Sequence, residues 1–214
     1  MTERFAIYFA PGRDTALAER AAAWLAQPDL RALTVSARRY GFHATIKAPM
    51  ALAAGADRAQ LEMALEAFAG SAAVVEAMLH VQLLDGFLAL IPVEQPQSLT
   101  DLAASVVVNF EPLRAGLEPA ELARRLRAPL TARQIELVEL YGYPYVLEQF
   151  QFHMTLTDRL AAGQQEALLA RGAAWFADVL RQPVRLDRLV LFHEAEPGAA
   201  FRRLDDFVLK GSGR

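Results

Sequence analysis

The sequence predicts an α+β protein with two similar lobes, each an antiparallel sheet covered by helices, and a central groove between them. Three observations lead to this prediction. The triplet His-x-Thr occurs twice, at His43 and His153, and each copy follows a Phe in a strand-like segment. A strand–helix–strand–helix–strand pattern runs through the chain twice, which indicates an internal duplication. Asp85-Gly86 stands between two apolar runs, which is a strong signal for a β-hairpin.

The elements of the first half follow from local patterns. An apolar run at Phe5–Pro11 predicts a strand that ends at a Pro-Gly pair. Asp14 is a candidate N-cap for an Ala-rich helix that extends to about residue 27. The segment 43–49 then alternates as a strand does, and apolar residues at helical spacing predict a helix over 57–68. Residues 74–84 complete this half as the first arm of the hairpin.

The second half repeats this order with one addition. Its predicted elements are a strand at 87–93, a helix at 98–110, further helices within 111–141, a strand at 150–157, a helix at 164–180, a strand at 184–195 and a last strand at 201–209. Residues 111–141 have no counterpart in the first half and are interpreted as a helical insertion. The sequence thus predicts one bilobal domain over 1–214, with lobe elements 1–86 and 87–214.

Composition excludes several classes of function. The chain of 214 residues has 54% hydrophobic and 22% charged residues, as a globular protein does. A net charge of −3 does not suit a protein that coats long nucleic acid, although a small anionic substrate stays compatible. There is no cysteine, so thiolate nucleophiles and disulfides are excluded. No signal-peptide pattern and no long apolar run are present, so a cytoplasmic protein with no membrane partner is expected.

Strand geometry predicts which side chains of the two triplets share a face. Side chains alternate along a strand, so every second residue points the same way. The predicted polar faces consist of His43, Thr45 and Lys47 in the first segment and of His153, Thr155 and Thr157 in the second. If the two halves are related by an approximate two-fold axis, these faces converge on one groove.

Two facing imidazoles suit the cleavage of a phosphodiester without a metal or other cofactor. A neutral imidazole takes a proton from the attacking oxygen, and a protonated one gives a proton to the departing oxygen. Threonine hydroxyls donate hydrogen bonds to the phosphoryl oxygens, where charge grows in the transition state. Lys47 adds a positive charge to the same groove. Which histidine is the base is left open.

The paired motifs resemble those of the two-histidine phosphoesterase superfamily, whose members carry two His-x-Thr/Ser motifs on a bilobal α+β fold. YGFHATIKAP and FQFHMTLT are similar to a bacterial branch associated with phosphonate metabolism. The resemblance implies a metal-independent phosphodiesterase that acts on a small phosphorylated substrate. It implies that His43 and His153 are the acid/base pair and that Thr45 and Thr155 bind the phosphoryl group.

The resemblance also extends to neighbouring residues. Tyr40 and Lys47 match the first motif of that branch and are predicted to contact the substrate. Arg39, just before the motif, is well placed to meet an anion, and Thr157 is predicted to line the groove. A non-catalytic module that binds nucleotides or RNA ends in the same groove is the alternative. Neither substrate nor oligomeric state follows from the sequence.

Other motifs admit two interpretations. His80 and His193 lack a Thr two residues on, so we interpret them as structural residues and disfavour a four-histidine metal site. The arginines at 124, 125, 127 and 133 are interpreted as a solvated helix face, with a phosphate-binding lid as the alternative. Tyrosines at 141, 143 and 145 serve either as a stacking surface or as packing between the lobes.

Overall fold

The computed structural model describes residues 3–211 and consists of two sheets with helices around them. The strands are β1 (Arg4–Phe9), β2 (Ala44–Met50), β3 (Val75–Ala77), β4 (Leu79–Leu84), β5 (Phe87–Pro92), β6 (Met154–Thr155), β7 (Val184–Leu186), β8 (Arg188–Glu194) and β9 (Arg202–Val208). The α-helices are α1 (Ala16–Leu25), α2 (Val35–Tyr40), α3 (Arg58–Ser71), α4 (Gln97–Asn109), α5 (Pro119–Arg125), α6 (Ala132–Tyr141) and α7 (Ala162–Phe176). Short 3₁₀ turns lie at Pro28–Leu33, Glu111–Leu113 and Leu147–Gln149.

The larger sheet has seven antiparallel strands in the order β4-β5-β6-β2-β1-β8-β9, and β3 pairs with β7 in a second, two-stranded sheet. The centre of the larger sheet is the pairing of β2 with β6, which joins the two halves of the chain. The element order within each half agrees with the predicted repeat. The strands near the end of each half, however, pair with the other half of the chain. β4 pairs with β5 of the second half, and β8 pairs with β1 of the first.

Some element bounds differ from those predicted. The first hairpin arm is not one strand, because the chain breaks at Met78 and sends β3 to the second sheet. The second motif contributes a strand of only two residues, β6, instead of the whole of 150–157. The N-cap of α1 is Thr15, whose hydroxyl accepts from Ala18 N, and not Asp14. The hairpin turn is confirmed, because Asp85 and Gly86 both have positive φ, as a type I′ turn requires.

The main hydrophobic core fills the space between one face of the larger sheet and the helices α1, α3, α4 and α7. Its largest fully buried side chain is Trp24, whose indole N–H donates to the carbonyl of Leu156 just after β6. The α4–α6 region extends over the C-terminal end of β2, where Leu52 pairs with Arg114. The opposite face of the larger sheet carries a smaller apolar cluster that includes Tyr8. This opposite face also holds the two histidines of the motifs.

Within residues 3–211, no helix combines the length and the apolar character that crossing a bilayer requires.

Candidate active site

The two histidines stand at the starts of the two central strands, and the strand pairing brings them onto one face. Ala44 is paired with Met154 in antiparallel register, and both of these side chains are buried in the main core. Continuing that register by one residue places His43 opposite Thr155 and Thr45 opposite His153, all on the other face. Opposed Cβ atoms in such pairs are roughly 4.5–5.5 Å apart. We call these four half-buried residues the histidine face.

Both imidazoles make the same hydrogen bond to the backbone. The Nδ1 of His43 lies 2.8 Å from the carbonyl oxygen of Gly41, and the Nδ1 of His153 lies 2.9 Å from that of Gln151. A carbonyl oxygen only accepts, so each Nδ1 carries the proton and donates it. Each Nε2 is therefore left to exchange a proton with a ligand, and the Thr45 hydroxyl, 3.3 Å away, donates to the Nε2 of His43.

Gly41 is required for this arrangement at His43. It ends α2 with φ 74° and ψ 171°, a combination that is essentially restricted to glycine. This conformation turns the Gly41 carbonyl toward the imidazole Nδ1 two residues later. The Gly in the first motif is thus a positioning residue that the sequence analysis did not single out.

The surroundings of His43 are aromatic. Its ring stacks on Tyr8 with 3.9 Å between centroids and 24° between planes, and Phe192 and Tyr40 lie 6.2 Å and 6.1 Å away. Burial lowers the pKa of His43 to about 4, the Gly41 carbonyl opposes that shift, and the charge of His153 adds to it. His43 is therefore neutral near pH 7 in the free protein.

His153 has a different environment. Its nearest aromatic neighbour is Phe87, with 5.9 Å between ring centroids and an angle of 59°. Ala89 stands beside Thr155 in the sheet, where the other half has Tyr8 beside Thr45. The two halves of the site are thus alike in hydrogen bonding and different in packing.

A large cavity adjoins the His43 side of this face. We call it the basic cavity: it has a volume of about 890 Å³ and is lined by the cationic side chains Arg4, Arg39, Lys47, Arg114, Arg124 and Arg125, together with Tyr40. Of the predicted contact residues, Tyr40 lines the cavity and stacks on Phe201, with 5.0 Å between their centroids. The Arg39 guanidinium lies over the Tyr40 ring and donates to Glu194 and to the carbonyl of Ala199. Arg38, its neighbour, is exposed.

The expectation for Lys47 needs correction. It was expected to present a free ammonium beside the histidines, but it is only 3% exposed. Its Nζ donates to the carbonyl of Val107 at 3.0 Å and to Glu111 at 2.8 Å. Burial lowers the pKa of Lys47, and the hydrogen bond and charge of Glu111 oppose that shift. Lys47 thus lines the basic cavity with its ammonium paired to Glu111, a carboxylate that it shares with Arg114.

The expectation for Thr157 is also corrected. Its side chain is fully buried, and its hydroxyl oxygen accepts a hydrogen bond of 2.9 Å from Leu88 N. The strand β6 ends at Thr155, so the alternation of faces that predicted an exposed Thr157 does not continue that far. Thr157 connects the second motif to β5 and does not line the groove.

The remaining candidates divide between the site and the periphery. His193 contacts Glu3 at 2.6 Å, and His80 lies on β4, so neither reaches the histidine face. Within the described part of the chain, no three His, Cys, Asp or Glu side chains are grouped to hold a metal ion. Arg133 pairs with Glu136 and Glu148, as the solvated-face interpretation predicts. Residues 124 and 125 also pair with a glutamate, Glu121, but in addition they line the basic cavity.

Comparisons with known proteins find relatives that match nearly all of this chain. The family model described as "Protein of unknown function (DUF1045)" matches residues 45–202. This chain is 37% identical to each of two curated proteins named ribose 1,5-bisphosphate phosphokinase PhnN. They come from Janthinobacterium sp. (strain Marseille) and Laribacter hongkongensis (strain HLHK9). These matches cover 98% of this chain but only 51% and 53% of the relatives. The chain therefore spans about half the length of the curated relatives it matches.

Solved structures share the architecture at low identity. The protein TT0787 of Thermus thermophilus superposes with a TM-score of 0.54 at 13% identity, covering 98% of this chain and 100% of the other. E. coli LigT, solved with 3′-AMP, gives a TM-score of 0.48 at 14% identity over 98% and 99% of the two chains. The predicted α+β fold is confirmed. The chain belongs to the DUF1045 family, and it shares its fold with TT0787.

Proposed function

We propose that this chain is a phosphodiesterase that hydrolyses a small, cyclic or linear phosphodiester by general acid/base catalysis between His43 and His153, without a metal. The observation that carries the proposal is the matched pair of Nδ1 hydrogen bonds, at 2.8 Å and 2.9 Å. They leave one Nε2 on each ring for proton transfer, and by the cross-strand register both rings lie on the same face of the sheet. A binding module has no need for two histidines held in the same tautomer.

The proposed mechanism assigns His43 as the base, because its low pKa keeps it neutral near pH 7. A water oxygen attacks phosphorus as the Nε2 of His43 takes a proton from that water. The bond from phosphorus to the leaving oxygen breaks as His153, in its protonated form, donates its Nε2 proton to that oxygen. The product is a phosphomonoester, and exchange with solvent restores both imidazoles. An anion bound beside His43 raises the pKa of that ring, which makes His43 a stronger base during the reaction.

The threonines and Tyr40 complete the proposed site. Thr45 and Thr155 stand opposite the two histidines, so their hydroxyls can donate to the non-bridging phosphoryl oxygens. Tyr40 and Arg39 line the basic cavity. Their arrangement favours a substrate that carries more than the scissile phosphate.

The curated relatives support a substrate of the phosphorylated-sugar class. Their name refers to ribose 1,5-bisphosphate, and this chain matches about half of their length. The motif G-x-x-x-x-G-K-[ST] of many phosphate-transferring enzymes does not occur in the sequence. We therefore propose that this half of the relatives acts on a related ribose phosphate, in phosphonate metabolism as the resemblance implies, and does not itself carry the kinase activity.

The decisive experiment measures turnover of 2′,3′-cyclic nucleotides and cyclic ribose phosphates by chelator-treated protein. We expect activity to persist, and His43→Ala and His153→Ala each to lower kcat by about a hundredfold or more, the usual scale for a general acid or base. His193→Ala, on the same sheet but bonded to Glu3, is the matched control and should keep full turnover. Complete loss of activity with chelator, or full activity in both histidine variants, would contradict the proposal. Binding of nucleotides without turnover of any substrate would favour the alternative of a binding module.

A further inference from the structure

The basic cavity concentrates positive charge in a chain whose net charge is −3. It lies between the C-terminal end of β2, the helix α5 and the turn that contains Pro197 and Gly198. Tyr40 belongs to its wall, and the ring of Tyr40 is 6.1 Å from that of His43. The cavity therefore shares the wall residue Tyr40 with the surroundings of the first histidine, although the histidines themselves do not line it. The proposed hydrolysis at phosphorus uses the histidine face and leaves this space unexplained.

The first pair of cations in the cavity shares one buried carboxylate. Glu194 is completely buried and accepts from Arg4 Nε at 2.6 Å, from Arg39 Nη2 at 2.6 Å and from Gly198 N at 3.0 Å. Burial tends to raise the pKa of Glu194, but these hydrogen bonds hold it below its ordinary value. One negative charge thus orients two guanidinium groups, and one positive charge stays uncompensated.

The second pair follows the same pattern on the other side of the cavity. Glu111 accepts from Lys47 Nζ at 2.8 Å and from Arg114 Nε at 2.7 Å. Arg114 also donates to the carbonyls of Ala115 and Leu140, which fixes its guanidinium between the segment after α4 and the end of α6. A single carboxylate again holds two cations.

The third pair belongs to α5 in the helical insertion. Glu121 accepts from Arg125 at 2.6 Å, and Arg125 also donates to the carbonyl of Gly142. Arg124 makes a longer contact of 3.4 Å with the same carboxylate, and its side chain is 69% exposed. Its guanidinium lines both the basic cavity and a smaller adjoining one, so it is the cation with the most freedom to turn toward a ligand.

The balance of charge at this cavity is positive. Six cationic side chains line it, and the acidic groups near them are the three shared carboxylates and Glu118. A surplus of two positive charges remains, most of it on planar guanidinium groups. Guanidinium groups bind phosphate and phosphonate oxygens in pairs of parallel hydrogen bonds, so the cavity suits a dianion of that kind.

We infer that the basic cavity binds a second phosphate or phosphonate group of the substrate, separated by a short linker from the phosphodiester held at the histidines. This inference rests on the proposed function. Tyr40, which lines the cavity, has its ring centroid 6.1 Å from that of His43. A linker of the size of one sugar ring spans that distance. The substrate class is accordingly a sugar-sized phosphodiester with an additional anionic group.

Binding measurements test the cavity without any need for catalysis. Ribose 1,5-bisphosphate and ribose 1-phosphate differ by one phosphate, and calorimetry gives the affinity of the protein for each. We expect the bisphosphate to bind about tenfold or more tightly, since a charge-assisted hydrogen bond contributes about 1.5–3 kcal/mol. Arg124→Gln should lower the ratio of the two affinities by about tenfold. Arg133→Gln, in the same helical insertion but paired with Glu136 and Glu148, is the matched control and should leave the ratio unchanged.

The outcomes separate this inference from the proposed function. Equal binding of the two ligands, binding of neither, or an unchanged ratio in Arg124→Gln would overturn the inference. Hydrolysis of cyclic phosphates with no preference for a second phosphate would overturn it while the phosphodiesterase proposal stands. Preferential binding of the bisphosphate that depends on Arg124, without hydrolysis of any phosphodiester, would support the cavity and contradict the proposed catalysis.

Discussion

At the scale of single residues, the two histidines have the same hydrogen bond and different neighbours. The carbonyls of Gly41 and Gln151 select the same tautomer in both rings. Only His43 is packed face to face against a tyrosine, and its pKa falls to about 4 mainly through burial. The duplicated motif therefore supplies two equivalent nitrogen atoms, and the packing around them makes the pair unequal.

The pH dependence of His43 can be tested through its stacking partner. Protonated His43 cannot accept a proton, so activity that requires neutral His43 should persist above about pH 4 and be lost as the pH falls through that value. Tyr8→Leu opens the ring to water, so the midpoint should rise toward about 6.5, the ordinary pKa of histidine. This midpoint can be measured by NMR titration of the His43 ring and from the acidic limb of the pH profile of kcat/KM. Phe87→Leu, beside His153, is the control and should leave the His43 midpoint in place; a similar shift in both variants would contradict this account.

The two threonines of the second motif are predicted to have different roles. Thr157→Val removes the acceptor of Leu88 N in a fully buried position, which should lower the free energy of unfolding by about 1–3 kcal/mol. Thr155→Val changes a half-buried side chain on the histidine face, so it should lower kcat/KM with little effect on stability. Urea unfolding and turnover measured on both variants distinguish the roles. Loss of kcat/KM without loss of stability in Thr157→Val would contradict this assignment and favour a role for Thr157 in binding.

At the scale of elements, Asp158 connects the two motifs. It follows HMTLT directly, and its carboxylate accepts from Val35 N at 2.9 Å and from Ser36 N at 3.0 Å at the start of α2. That helix ends at Tyr40, immediately before the Gly41 that orients His43. The end of the second motif thus fixes the helix that leads into the first.

Removing this cap should affect stability and activity together. Asp158→Ala leaves two backbone N–H groups without their acceptor, so it should cost about 0.5–2 kcal/mol of unfolding free energy and also lower kcat/KM. Asp57→Ala removes the capping box of α3, away from the histidines, and is the matched control. It should cost a similar amount of stability and leave kcat/KM unchanged. An Asp158→Ala variant with full activity would show that the cap is structural only.

At the scale of the whole molecule, the exchange of strands makes the two halves dependent on each other. β1 pairs with β8 of the second half over five residue pairs, and β5 pairs with β4 of the first half over six. Further contacts across the halves are the β3–β7 sheet and the indole N–H of Trp24, which donates to Leu156. A cut at the boundary between residues 86 and 87 separates every one of these pairs.

Fragments made at this boundary test that dependence. We expect residues 1–86 and residues 87–214 each to lack cooperative unfolding when produced alone, because each loses the partner of its central strands. Produced together, they should associate and recover the circular dichroism of the intact chain. A fragment that unfolds cooperatively by itself would contradict the prediction. The intact chain should unfold in one transition, with fluorescence and circular dichroism coinciding.

The sequence alone was sufficient for the parts of the structure that depend on local pattern. Apolar runs and strand alternation located β1, β2 and β5, local patterns located α1, α3, α4 and α7, and Asp85-Gly86 located the hairpin turn. The doubled His-x-Thr triplet also singled out the two strand starts that the β2–β6 pairing brings side by side. These features follow from residues that are close in the chain, and propensity and side-chain periodicity act over that range.

Only the tertiary structure decided which distant residues meet. The cap of α2 by Asp158 spans more than a hundred residues, and the cation pair on Glu194 joins Arg4, Arg39 and a strand near the C-terminus. Lys47 was expected in the groove, but its ammonium bonds to Glu111, 64 positions later in the chain. Thr157 was expected on the open face, but β6 ends before it. Such contacts depend on strand register and on the packing of the helical insertion, which sum over the whole chain and leave no periodic signal in any one segment.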